Sequence, residues 1–233
     1  MKNAFRIAWR EIRWEIFGDR SAVLRMGIFT AIPILFVLTN RSPRIGEVAI
    51  FLLALQSVMF PALSGVALIS STFTQEKENG TIIPLLASPI RDMDIVVGKL
   101  IGMIIPVFAL CVASGAVYYV LASSQYGTAR VQAALPPQLL YALLVMSFLY
   151  LLTAGSWVLI VAAIVKTTRA GQQVAGLLIG ISVAIFAALG AAASQFGEGW
   201  PLLALGVGLV LSDVVALEIA RRVWRREEVL ARL

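Results

Sequence analysis

Histidine is absent from this 233-residue chain, and cysteine occurs once, as Cys111, inside an apolar run. These two absences exclude a disulfide within the chain and a metal site built from histidine and cysteine. Charge is scarce as well, at 14% of residues. A phosphate-binding loop is missing. Gly98-Lys99 is the one Gly-Lys pair, no glycine precedes it at the required spacing, and Leu100 stands where a serine or threonine is needed. There is no nucleophile elbow and no zinc-protease helix. The sequence therefore predicts neither an enzyme nor a metalloprotein, and no cofactor on this chain.

What is abundant is apolar surface. The chain is 60% hydrophobic, and its mean hydropathy is +0.90. A soluble domain is usually less than half apolar. The composition thus predicts an integral membrane protein. No cleavable leader is expected, because the first residues form a long mixed polar segment. A spanning helix needs about 20 mostly apolar residues. Six segments qualify: Val23–Thr39, Val48–Phe73, Ile95–Ser123, Leu139–Val165, Val174–Phe196 and Trp200–Ala220. No alternating barrel pattern is present, so helices are the way to satisfy the backbone in lipid. The expected fold is an all-α membrane protein with six transmembrane helices over residues 23–233.

The formal charge of +6 would suggest nucleic acid in a soluble protein. Here the basic residues flank apolar spans and report topology instead. Sixteen of the nineteen lysines and arginines lie on one set of flanks, and only Arg41, Arg44 and Arg130 lie on the other. The positive-inside rule then places both termini, and the segment between the second and third spans, in the cytoplasm. The outward loops Arg41–Glu47, Ser124–Gln138 and Gly197–Gly199 are too small for a folded external domain.

Residues 1–22 form a separate lead-in element. Phe5, Ala8, Trp9, Ile12 and Ile16 recur at helical spacing, and Arg6, Arg10, Glu11, Arg13 and Glu15 occupy the other arc. This pattern predicts an amphipathic helix at the inner membrane interface, and a basic anchor that only fixes orientation is the compatible alternative. Within the spans, Lys99 reads as an interfacial anchor near a helix start. Asp213 is the deepest acid, and an intramembrane acid is a candidate for a role in transport. A packing or water-exposed role is the alternative. Gly98/Gly102 and Gly176/Gly180 are small-residue pairs that let helices approach closely, within the chain or between subunits. Pro33, Pro61 and Pro106 interrupt spans. Gly190–Ala193 and Gln195 mark a place where the fifth span could break and re-enter.

The segment between Thr72 and Asp94 is too apolar for a plain loop and too short and charged to cross a bilayer. Ile82, Ile83, Leu85 and Leu86 sit together within it. Gly80 can break the backbone, Thr81 can cap a helix, Pro84 suits a first turn, and Ser88-Pro89 stops it. The expected product is a short cytoplasmic helix at about 76–92. It either docks into a partner or lies on lipid.

The run Glu76-Lys77-Glu78-Asn79-Gly80-Thr81, with Leu85-Leu86, Ser88-Pro89-Ile90 and Gly98-Lys99, resembles the signature of ABC-2 type exporter permeases. The span count and the lead-in helix are similar to that family too. The resemblance implies an all-helical permease subunit of an ATP-driven exporter. It would pair with a second permease subunit, as homodimer or heterodimer, and with separate ATP-binding-cassette ATPase subunits that hold ATP and Mg. It implies that the short helix is the coupling helix, with docking on Glu76, Glu78, Gly80, Thr81, Ile82, Ile83, Leu85 and Leu86. The lead-in helix would be the connecting helix. The location implied is a prokaryotic plasma membrane. Many relatives carry a large external domain between the first two spans, and this chain has only Arg41–Glu47 there. The competing function is a membrane anchor or assembly factor that uses the same helix to recruit a cytoplasmic partner without transport. An ion-coupled carrier would favour paired intramembrane charges and an internal repeat, and neither is apparent.

Overall fold

The computed structural model describes residues 2–13, 20–39, 46–80, 90, 92–165, 167–196 and 199–223. Among these the regular structure is helical throughout. In chain order the elements are α1 (Lys2–Glu11), α2 (Arg20–Thr39), α3 (Glu47–Glu78), α4 (Asp92–Tyr126), α5 (Thr128–Ala134), α6 (Pro137–Ile164), α7 (Thr168–Phe196) and α8 (Gly199–Val223). Four stretches are long and apolar enough to cross a membrane: Glu47–Ser70, Met93–Tyr126, Pro137–Val161 and Leu203–Ala220. The apolar part of α2, Met26–Thr39, is shorter. This is a multi-pass, all-helical membrane protein.

The elements start and stop where backbone chemistry requires. Gly80 adopts φ 69, in the left-handed region that glycine enters without steric cost, and it ends the turn after α3. Pro137 stands at the first position of α6, where its missing N–H is no loss. At 35 residues α4 is about 50 Å long, well beyond the ~30 Å hydrocarbon. It is therefore long enough to tilt or to extend beyond the hydrocarbon. Pro33, Pro61 and Pro106 all lie inside helices. The expected break at Gly190–Ala193 is not found, since α7 is helical through Phe196. Alanine-rich sequence keeps helical geometry there despite Gly190. The expected outward loop Ser124–Gln138 contains α5, whose Val131 and Ala134 are buried.

Two apolar clusters hold the bundle, one toward each end. Val37, Ile50, Tyr118, Leu135 and Leu143 form one, where α2 ends and α3 and α6 begin. The Tyr118 hydroxyl donates to the Ile50 carbonyl at 2.6 Å, tying α4 to α3. The other gathers Ile69, Leu100, Met103, Leu159 and Ala220 from α3, α4, α6 and α8. Between them Phe108 and Phe148 meet edge to face at 5.3 Å.

Helix α1 packs mainly on α4. A β-carbon at Gly102 would lie 2.8 Å from Glu11 Cβ and 2.9 Å from the Ala8 carbonyl oxygen, so glycine sets the closeness of this contact. By contrast, a β-carbon at Gly176 or Gly180 would meet nothing within 4 Å. The buried face of α1 is Ile7, Ala8 and Glu11. The pattern Phe5, Ala8, Trp9, Ile12 did not identify it. Phe5 and Trp9 face outward, at 69% and 60% exposure. Ile16 lies outside the described residues. Small Ala8 and a paired carboxylate fit against Gly102, whereas the large aromatics would not. Replacing Gly102 with Val should lower stability by about 1–3 kcal/mol through overpacking. The unfolding midpoint in detergent, and proteolysis ahead of Arg20, would register it. Gly176→Val should shift the same midpoint far less.

Candidate functional site

The centre of the site is a charge cluster inside the helix bundle. The Lys99 side chain is wholly buried. Its ammonium donates to Glu11 Oε1 at 3.1 Å and to Glu76 Oε2 at 2.5 Å. Glu11 is also wholly buried, and Glu76 nearly so. Arg10 stands at the mouth with its side chain 49% exposed. It lies 3.1 Å from Glu11 Oε1 and 3.9 Å from Glu76 Oε1. Two carboxylates thus face two cations, and the four-residue cluster is formally neutral. Three helices supply it: α1 gives Arg10 and Glu11, α3 gives Glu76, and α4 gives Lys99. Lys99 is therefore an interior counter-ion and not the interfacial anchor expected from its place near a helix start.

Burying three charges is costly, and mutual pairing repays this only when geometry is good. The value of such a cluster lies in register. A helix that slides by one turn loses its partners and strands a charge. The cluster thus fixes α1 against the last turns of α3 and the first turns of α4.

Those turns are the two roots of the segment 81–89. One root, Glu76–Gly80, is held through Glu76. The other begins at Ile90, which packs with Ile95 against Ile7 of α1. Both roots are therefore fastened to the same short helix. Of the expected docking residues, Glu76 points inward to Lys99, so its carboxylate is not presented to a partner. Glu78 is the last residue of α3, and Gly80 makes the turn. Thr81, Ile82, Ile83, Leu85 and Leu86 lie outside the described residues.

Asp213 sits elsewhere, in the seam between α6 and α8. It is 5% exposed. Neither carboxylate oxygen has a hydrogen-bond partner among the described residues. The Thr153 hydroxyl lies alongside but is directed at the Leu149 carbonyl oxygen, 2.9 Å away. One residue back, Ser212 accepts from Trp157 Nε1 at 2.9 Å. The seam is thus a second polar site in the bundle, apart from the charge cluster.

A cavity of about 330 Å³ opens between α3, α4 and α6, with Ala54, Val58, Val112, Gly115 and Leu143 in its wall. Ser57 and Tyr118 also line it, but their hydroxyls are spent on the Ala54 and Ile50 carbonyls. The wall that faces the cavity is apolar, although Tyr119 also lines it. No group of three metal-ligating side chains occurs among the described residues.

Lys99→Met should destabilise the chain by about 3–5 kcal/mol, because Glu11 and Glu76 would stay buried without their cation. Adding Glu11→Gln and Glu76→Gln should recover most of that loss. Thermal unfolding of the single and triple variants in detergent reads both effects.

A family model described as ABC-2 family transporter protein matches residues 24–210, well over half of the chain. No curated protein matches it.

Proposed function

The chain belongs to the ABC-2 transporter family, and from that premise we propose that it forms the translocation path of an ATP-driven exporter and takes its power stroke through residues 81–89. Family membership makes it the membrane component, a transport subunit without catalysis of its own. The observation that carries the rest is the double fastening of the two roots to α1. A segment that receives force must not swing freely at its base. Here Lys99, Glu11 and Glu76 brace one root, and Ile7, Ile90 and Ile95 brace the other.

On this reading six helices cross the membrane, and both termini lie in the cytoplasm of a prokaryotic cell. Ile82, Ile83, Leu85 and Leu86 form the greasy surface that an ATP-binding-cassette subunit covers, with Glu78, Gly80 and Thr81 at its edge. Covering apolar area contributes about 25 cal/mol per Å², and the flanking charges orient the partner. ATP and Mg belong to that partner. A second permease subunit completes the path, and the side of α7 bearing Gly176 and Gly180 has room for one. Glu76 moves from docking residue to brace. The apolar cavity suits the hydrocarbon part of an amphipathic cargo, which favours a path over a bare anchor. Asp213 takes part in the cycle: a carboxylate left without partners in one arrangement of α6 and α8 gains them in another.

The double variant Leu85→Asp/Leu86→Asp should insert in the membrane normally and lose the co-purifying ATPase, or lose export while the ATPase stays bound. Normal recruitment together with normal export would remove the assignment. Asp213→Leu should leave ATPase recruitment intact and lower export at least tenfold. Equal export would leave Asp213 a packing residue.

A further inference from the structure

Helix α1 presents three distinct strips. Ile7, Ala8 and Glu11 face the bundle. Phe5 and Trp9, one helical turn apart, form an exposed aromatic strip. Arg6 and Arg10, also one turn apart, form an exposed basic strip that Arg13, just past the helix, continues. The single acid between Lys2 and Arg13 is Glu11, and it is buried. The outer surface of α1 is therefore cationic with an aromatic margin, and none of its exposed side chains is an acid.

We propose that this edge binds the headgroups of anionic phospholipids in the cytoplasmic leaflet, and that a lipid phosphate competes with Glu11 and Glu76 for Arg10. The inference rests on the cytoplasmic placement of α1 proposed above. Charge complementarity and the aromatics name the occupant. Tryptophan and phenylalanine settle at headgroup depth, and arginine matches phosphate with paired hydrogen bonds. Each basic residue near an anionic leaflet strengthens attachment about fivefold. Arg10 is the hinge of the idea. It is the cluster member that reaches the surface, at 49% exposure, while Lys99, Glu11 and Glu76 are enclosed. Glu11 Oε1 accepts from both Arg10 and Lys99. A phosphate that draws Arg10 outward leaves Lys99 facing two carboxylates alone. The brace on the Glu76–Gly80 root then loosens without breaking. Headgroup charge in the inner leaflet would thereby set how stiffly the segment 81–89 is held.

The full chain, reconstituted in nanodiscs of phosphatidylcholine with or without phosphatidylglycerol, tests this. Lipid retained after detergent exchange should hold phosphatidylglycerol in several-fold excess over its share in the disc. Amide exchange over residues 76–80 should be faster with phosphatidylglycerol than without. Arg6→Gln/Arg13→Gln, which spares the buried cluster, should cut the excess, and adding Arg10→Gln should abolish both effects. Equal retention of the two lipids, or an excess indifferent to these substitutions, would overturn the proposal. So would Arg variants that lose a co-purifying ATPase while lipid retention stays the same, since the edge would then face protein. Orientation is read separately, from labelling of Asn3→Cys in a Cys111→Ser background with a membrane-impermeant thiol reagent. Labelling from the inside supports the placement of α1, and labelling from the outside overturns that placement whatever the lipids do.

Discussion

One ammonium group, on Lys99, organises the end of the bundle where α1, α3 and α4 meet. It is enclosed, and two carboxylates balance its charge there. Glu11 and Glu76 come from α1 and α3, so their pairing with Lys99 obliges three helices to converge at one point. The packing around it follows. Gly102 lies one turn along α4 from Lys99, and only glycine lets the α1 backbone come close enough for Glu11 to reach. Ile7 lies one turn before Glu11 and closes on Ile90 and Ile95. Electrostatics sets the register, and the small residue makes the register attainable.

The cost of such an arrangement suggests its purpose. Apolar residues of similar volume would hold helices together at least as well. Ion clusters do what apolar contacts do poorly: they reject neighbouring registers. On the proposed function, a membrane subunit that receives work from a separate motor needs this rigidity at the point of attachment and freedom elsewhere. The rest of the bundle is consistent with that division. The seam between α6 and α8 holds Asp213, which has no hydrogen-bond partner among the described residues, and α8 is apolar and exposed over most of its outward surface, as Leu203, Val207, Leu211 and Val214 illustrate. The well-braced end and the loosely satisfied seam lie on different helices.

Much of the architecture was legible in the residues alone. The apolar runs became helices, Gly80 turned the chain after α3, and Pro33, Pro61 and Pro106 fell inside helices where they were expected. The family was legible too, from the run between Glu76 and Lys99. The cluster was not. Glu11 and Lys99 are 88 residues apart, and Glu76 and Lys99 are 23 apart. No local pattern links them, and a lysine near a helix start reads as an interfacial anchor unless its partners are known. The inward face of α1 escaped for a related reason. Hydrophobic periodicity favours Phe5 and Trp9, whereas the contact with Gly102 selects for small size and for a carboxylate. A signal was present in retrospect: Glu11 is the one acid in the first thirteen residues, and Lys99 is the one cation within the long apolar run of α4. The unbroken helix across Gly190–Ala193 shows the limit of glycine as punctuation when alanine surrounds it.

The most direct test is a cryo-electron microscopy structure of the chain bound to its ATPase in a lipid disc. The account predicts residues 81–89 seated in a groove of the ATPase, with Lys99 still enclosed by Glu11 and Glu76 at the root. A structure in which that segment lies against lipid, with the ATPase absent or gripping another surface, would contradict it.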